Sequence, residues 1–116
     1  MEAGDVDRIV ITWPGAWGGK RRRRPPPLFE SRDLDAVRGL LPLLAVADVD
    51  PVDLMTAGAF EVHLMNGRDR VATVVYLLDG WLRFDGGDRP ARDVDGLVAW
   101  FRERGIPATA GEWQSS

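Results

Sequence analysis

The sequence contains no cysteine, and this absence removes several kinds of chemistry at once. Disulfide bonds, thiolate metal sites, iron–sulfur clusters and cysteine nucleophiles all need that side chain. Long apolar runs are also missing, since none approaches the roughly 18 residues that a membrane-spanning helix requires. The acidic N-terminal residues lack the apolar segment of a secretory signal. We therefore expect a cytoplasmic protein that does not enter a membrane.

Catalytic side chains are scarce. His63 is the only histidine, and the three serines are Ser31, Ser115 and Ser116. A serine–histidine–acid arrangement is therefore not expected, and one histidine does not suffice for the usual zinc sites. The aspartates do not have the spacing of a calcium loop, and Gly15 to Lys20 does not match a phosphate-binding loop. The sequence thus predicts no catalytic residue, no metal ligand and no cofactor, and we interpret the protein as a non-enzyme.

Length and composition indicate one folded domain over residues 1–116. Apolar residues make up 45% of the chain and charged residues 28%, which is typical of a globular protein. A chain of this size usually forms a single core. Arginine outnumbers lysine fourteen to one, and from codon usage this bias indicates a bacterial genome of high GC content.

The net charge of −3 is unevenly distributed. Five consecutive basic residues lie in a Gly- and Pro-rich segment, 14–27, which we predict to be a flexible loop. The remaining 10 basic and 18 acidic residues leave a net charge of −8 on the rest of the molecule. A solvated loop is one interpretation of the basic run, and a weak nucleic-acid contact is the alternative. The residues concerned are Lys20, Arg21, Arg22, Arg23 and Arg24.

Periodicity predicts an α+β fold with the order ββαβββα. Residues 6–13 and 28–30 have strand patterns, and three further strands follow within 59–85. Ser31 and Asp93 are predicted to cap the two helices, with Pro42 kinking or ending the first. Asp50 and Pro51 are predicted to begin a short helical turn. We expect about five antiparallel strands with both helices packed on one face.

The three later strands predict two turns. Asp79-Gly80 is a two-residue hairpin signal, and residues 66–69 are interpreted as a four-residue turn. This register pairs Leu64 with Val71 and Phe60 with Val75, and it pairs Leu77 with Leu82 and Val75 with Phe84. It leaves a second, largely apolar face containing the following side chains: His63, Met65, Ala72, Val74, Tyr76, Leu78 and Trp81.

A sheet face this apolar is not expected to be exposed to water, so other residues should cover it. The N-terminal strands or the C-terminal tail could supply it from within the chain, or a partner could supply it, including a second copy in a homodimer. A short chain has little spare material for a third layer, so both interpretations stay open.

The C-terminal third resembles a known family. Residues 74–80 form a predicted strand and turn, and an aspartate-capped helix follows. The segment 105–114, Gly-Ile-Pro-Ala-Thr-Ala-Gly-Glu-Trp-Gln, then resembles the end of small bacterial immunity proteins that neutralise deaminase-type toxins. The resemblance implies that the protein blocks the active site of a cognate toxin and has no catalytic activity of its own. An acidic protein suits a basic, nucleic-acid-binding cleft.

The main functional hypothesis is therefore a protein-binding module, such as an immunity protein or antitoxin, with a basic partner. Its predicted contacts come from acidic loops and the apolar face: Asp48, Asp50, Asp53, Tyr76, Trp81, Asp85 and Asp88. The alternatives are a nucleic-acid accessory protein that uses residues 20–24 and a homodimeric structural domain.

Overall fold

The structure, a computed structural model, describes residues 6–16, 26–84 and 86–114. Its described part contains one antiparallel sheet of six strands in the spatial order β2-β1-β3-β4-β5-β6. The strands are β1 (Arg8–Thr12), β2 (Phe29–Ser31), β3 (Phe60–Asn66), β4 (Asp69–Leu78), β5 (Trp81–Phe84) and β6 (Gly87–Pro90). The helices are α1 (Leu34–Leu40), which continues into a 3-10 turn (Leu41–Leu44), α2 (Val94–Arg102) and α3 (Ala110–Gln114).

The predicted fold class is confirmed, with one strand and one short helix more than expected. β6 was missed because its sequence, Gly-Asp-Arg-Pro, has no apolar alternation. The predicted helical turn after Asp50 is wrong. Residues 50–58 contain no helix, and Val52 instead forms a bridge with Asp88.

The first helix begins two residues later than predicted. Ser31 belongs to β2, where it pairs with Ile9, and Asp33 is the helix cap. The Asp33 carboxylate accepts a hydrogen bond from the Asp35 amide at 3.0 Å, while the Ser31 hydroxyl accepts one from the Asp33 amide at 3.1 Å. The α-helix ends at Leu40 and continues as the 3-10 turn from Leu41, with Pro42 at the start of that turn. The predicted effect of that proline is confirmed.

The C-terminal helices follow the sequence signals closely. Asp93 caps α2 by accepting a hydrogen bond from the Gly96 amide at 2.9 Å, as predicted. The chain leaves the helix through Gly105, whose φ of +75° suits glycine. Trp113 then packs against the core and donates from its indole nitrogen to the Pro107 carbonyl at 2.8 Å. The tail therefore folds back onto the body.

The register between β3 and β4 differs from the predicted one. Asn66 pairs with Asp69 across a two-residue turn, and the register shifts between Leu64 and Met65. Beyond that bulge, Leu64 pairs with Ala72 and Phe60 with Tyr76. Neighbouring residues of a strand point to opposite faces of the sheet. This one-residue difference therefore places the β4 side chains on the face opposite to the predicted one.

A second irregularity lies near the turn between β4 and β5. The Asp79-Gly80 turn is confirmed, but Leu78 pairs with Trp81 and Tyr76 with Leu82, so the predicted pair of Leu77 and Leu82 is wrong. Leu78 and Asp79 have positive φ values of 84° and 54°. This unusual backbone accommodates the additional residue.

Tyr76 consequently lies in the core and not on the second face. It is fully buried and stacks on Phe60 with ring centroids 4.7 Å apart, while Phe101 from α2 contacts both rings. The Tyr76 hydroxyl donates to the Ala108 carbonyl at 2.6 Å and accepts from the Gly80 amide at 3.0 Å. Burial raises the pKa of Tyr76 to about 12. This aromatic cluster joins the sheet to α2 and to the C-terminal segment.

Candidate functional site

The second face of the sheet is covered in large part by loops of the same chain. Val10, His63 and Met65 on this face are buried. On the β4 to β6 side, residues 52–58 lie against it, and Gly58 is so close to the Val75 side chain that a Cβ atom would clash. At β3, the Gly15 amide donates to Glu61 at 2.7 Å. The described residues in contact with this face therefore belong to the segment 52–58 and to the residues directly after β1.

An ion pair between a buried carboxylate and a half-buried arginine fixes one of these loops. Asp88 in β6 is only 2% exposed and accepts two hydrogen bonds from the Arg83 guanidinium, from Nε at 2.8 Å and from Nη2 at 3.1 Å. Asp88 also accepts from the Leu54 amide at 3.0 Å, and Arg83 donates to the Thr56 carbonyl at 2.8 Å. The two side chains therefore hold the backbone at residues 54–56 in a defined position.

The same segment is also attached to the edge of the sheet. The Ala47 amide donates to the Pro90 carbonyl at 2.9 Å. Val52 and Asp88 exchange two backbone hydrogen bonds, at 2.9 and 2.7 Å. Since β6 is the last strand of the sheet, residues 46–52 run along its outer edge.

Residues 48–57, which we name the acidic loop, are all exposed. The loop has three aspartates and no basic residue, and it carries four large apolar side chains. These are Val49, Val52, Leu54 and Met55, with exposures of 49%, 45%, 41% and 89%. Met55 also has a φ of +50°, where its amide donates to Asp53 at 2.8 Å. An anchored loop with apolar side chains in solvent and a negative charge has the properties of a contact surface.

His63 lies away from this loop, on the covered face. Its Nε2 is 2.9 Å from the Thr12 hydroxyl and its Nδ1 is 3.1 Å from the Thr73 hydroxyl. The side chain is 1% exposed. These contacts indicate a structural role, because both ring nitrogens interact with side chains of neighbouring strands.

The predicted partner contacts fall into different environments. Asp48, Asp50 and Asp53 are all exposed in the acidic loop. Asp88 is buried in the anchor, and Tyr76 is buried in the core, so their predicted placement at a contact surface is wrong. Trp81 is half-buried and pairs with Pro90. Asp85 and the basic residues Lys20, Arg21, Arg22, Arg23 and Arg24 lie outside the described residues.

Sequence reasoning missed two residues of this site, Arg83 and Met55. Arg83 alternates with apolar neighbours in β5, so the sequence pattern predicts its position on the second face. Its pairing with Asp88 depends on the unpredicted strand β6. Met55 follows Asp50 and Pro51, where the predicted helical turn does not form. The local signal that could have indicated a loop is the run Asp-Leu-Met-Thr-Ala-Gly, whose apolar residues follow neither the period of a strand nor that of a helix.

Other classes of site are not apparent in the part of the chain that the structure describes. No group of three or more potential metal ligands is found among these residues. Nor does this part include a helix with the length and apolar character needed to span a bilayer. Comparison with protein-family models, curated proteins and solved structures returned no match for the chain.

The Asp88 anchor should make stability sensitive to acid. The Arg83 hydrogen bonds hold the pKa of Asp88 below its ordinary value, against the opposing effect of burial. The anchor therefore contributes stability above the carboxyl's unfolded-state pKa, and this contribution is lost as the pH falls through the lowered folded-state pKa. In urea unfolding from about pH 6 to about pH 2, we expect Asp88→Asn to be less stable than wild type near neutrality and to lose less stability on acidification. Asp95→Asn, an exposed control on α2, should follow the wild-type profile. Parallel wild-type and Asp88→Asn profiles would contradict the anchor's role.

Proposed function

We propose that the protein is a non-enzymatic binding module that docks on a basic protein surface through the acidic loop. The observation that carries this proposal is the exposure of four large apolar side chains on a segment fixed by the Asp88–Arg83 pair. Exposed apolar surface and a residue with positive φ both cost stability. A contact function would account for retaining them.

The charge of the loop supports a partner with a basic surface. Asp48, Asp50 and Asp53 are exposed, and no basic residue lies between positions 48 and 57. Asp88 is paired with Arg83, whereas none of the three loop aspartates forms an ion pair with another described residue. A partner with a basic surface surrounding an apolar pocket would match both properties, and the opposite charges would accelerate association.

The resemblance to immunity proteins gives this partner a class. We infer that it is a toxin domain with a basic, nucleic-acid-binding cleft, and that docking of the acidic loop blocks the cleft. The two segments that carry the resemblance contact each other: the Asp79 amide donates to the Ala108 carbonyl at 2.9 Å, and Asp79 accepts from the Ala110 amide at 3.2 Å. The burial of His63 further supports a role without catalysis.

The test uses the domain encoded by the neighbouring gene as the probe. We expect the purified chain to bind that domain in titration calorimetry and to restore growth of cells that express it. Neutralising all three loop aspartates to asparagine should lower the association rate about tenfold at low salt, with a smaller difference at high salt. Met55→Ser should increase the dissociation rate, because it removes an exposed apolar contact.

A matched control separates the loop from total charge. The triple variant Asp35→Asn, Asp95→Asn, Glu103→Gln also removes three exposed negative charges, on or beside the two main helices, and its affinity should stay close to wild type. Equal weakening by both triple variants would assign binding to overall charge. An unchanged affinity in the loop variant and in Met55→Ser would refute the proposed contact surface, even if the two proteins bind.

A further inference from the structure

A second, oppositely charged feature lies at the other side of the sheet. The start of β1, the connection from β2 to α1 and the turn between β3 and β4 surround a cleft of about 530 Å³. Its lining consists of Asp7, Arg8, Arg32, Leu34, Gly67 and Arg68. Three arginines thus converge on one cleft of a molecule whose body is acidic.

These arginines have few partners within the protein. Arg32 and Arg68 make no hydrogen bond or ion pair with any other described residue. Arg8 is 3.7 Å from Glu30 and 3.4 Å from the Gly67 carbonyl, and its Nε is buried without a hydrogen-bond partner. Arg83 and Arg102, in contrast, each contact a carboxylate at 2.8 Å. The cleft therefore retains unused donors and positive charge.

We propose that this cleft binds the phosphomonoester group of a small molecule. Guanidinium groups bind phosphate oxygens through paired hydrogen bonds, and a dianion matches a cluster of three such groups. The volume lies within the range of small-ligand sites. Leu34, which is half exposed, provides an apolar wall for the organic part of the ligand.

Asp7 opposes an anion, and this gives the proposal a distinctive signature. Both Asp7 carboxylate oxygens accept from the Gly67 amide, at 3.1 and 3.0 Å. An asparagine at this position keeps an acceptor oxygen for that amide and removes the negative charge. Asp7→Asn should therefore bind phosphate more tightly, whereas loss of an arginine should weaken binding.

The experiment is an NMR titration of the full chain at constant ionic strength. It monitors the signals of the Gly67 amide and of the arginine Nε–H groups. The probes are inorganic phosphate and a nucleoside monophosphate. We expect saturable shifts at the cleft with both probes if the phosphate group alone is recognised, and stronger binding of the nucleotide if Leu34 contacts its organic part. Either result supports the proposal. Absence of saturation below an apparent Kd of about 10 mM with both probes would overturn it.

Variants separate a built site from general charge attraction. Arg32→Gln and Arg68→Gln should each weaken binding about tenfold, the loss expected for one charged hydrogen bond. Arg92→Gln, on an exposed position outside the cleft, should have no such effect. Circular dichroism would confirm that each variant is folded. Equal weakening by Arg92→Gln, or binding of a single-stranded oligonucleotide while the monophosphate stays inert, would overturn the proposal.

Discussion

Phe101→Ala should destabilise the protein by about 3–5 kcal/mol, the usual cost of removing a phenyl ring from a core. Phe101 is fully buried and contacts the rings of Phe60, Tyr76 and Trp100, with centroid distances of 5.0, 4.8 and 5.5 Å. The ring attaches α2 to the middle of the sheet, so its loss leaves a cavity at the contact between the two layers. The free energy of unfolding from urea titrations, followed by far-UV circular dichroism, measures this effect.

Leu34→Ala is the matched control, because it also removes an apolar side chain from a helix. Leu34 is 50% exposed, so its substitution should change stability by no more than about 0.5 kcal/mol. A comparable loss in both variants would mean that the aromatic cluster does not provide the main contact between sheet and helix. The acidic loop is distant in sequence from Phe101, and its attachment to β6 predicts that a folded Phe101→Ala protein still binds the partner.

Tyr76→Phe should cost about 1–3 kcal/mol although it removes a single oxygen atom, because a buried donor is left without its partner. The hydroxyl satisfies both the Ala108 carbonyl and the Gly80 amide. Phenylalanine would preserve the stacking on Phe60 and break this link between the turn and the C-terminal segment. Thermal unfolding of the two proteins at neutral pH gives the difference.

Alkaline pH should reduce that difference. Burial raises the pKa of Tyr76 from 10.0 to about 12, so the folded state binds the phenolic proton more tightly than the unfolded state does. The corresponding stability is present below about pH 10 and is lost as the pH rises toward 12. Wild type should therefore approach the Phe variant at high pH. Tyr76 is the only tyrosine, so ultraviolet difference spectra report its ionisation directly. Phenolate formation near pH 10 in the folded protein would contradict the assigned burial.

Local signals in the sequence were sufficient for much of the fold. The cap at Asp93, the Asp79-Gly80 turn and the break at Pro42 each depend on a short-range effect, and all three are confirmed. The order of the first five strands and two helices also follows from periodicity. β6 depends on pairing with β5 and with residues 46–52, so it has no local signal.

The error at Tyr76 shows why the site was harder to predict than the fold. The register shift between Leu64 and Met65 exchanges the faces of the β4 side chains, and no residue in the turn sequence predicts this shift. Tyr76 therefore lies in the core and not on the predicted contact surface. The acidic loop was predicted only as separate aspartates, because its shape depends on Arg83 and Asp88, which are distant in the chain and meet through the fold.

The attachment of residues 46–52 along β6 has a consequence for self-association. Exposed strand edges allow chains to pair with one another and to form fibrils. Here backbone groups of β6 are already bonded to Ala47 and Val52, and Pro51 and Pro90 limit further pairing along this side. At the opposite end of the described sheet, β2 is only three residues long. Both features disfavour edge-to-edge pairing between the described strands of separate copies, even though the neighbouring loop exposes apolar side chains.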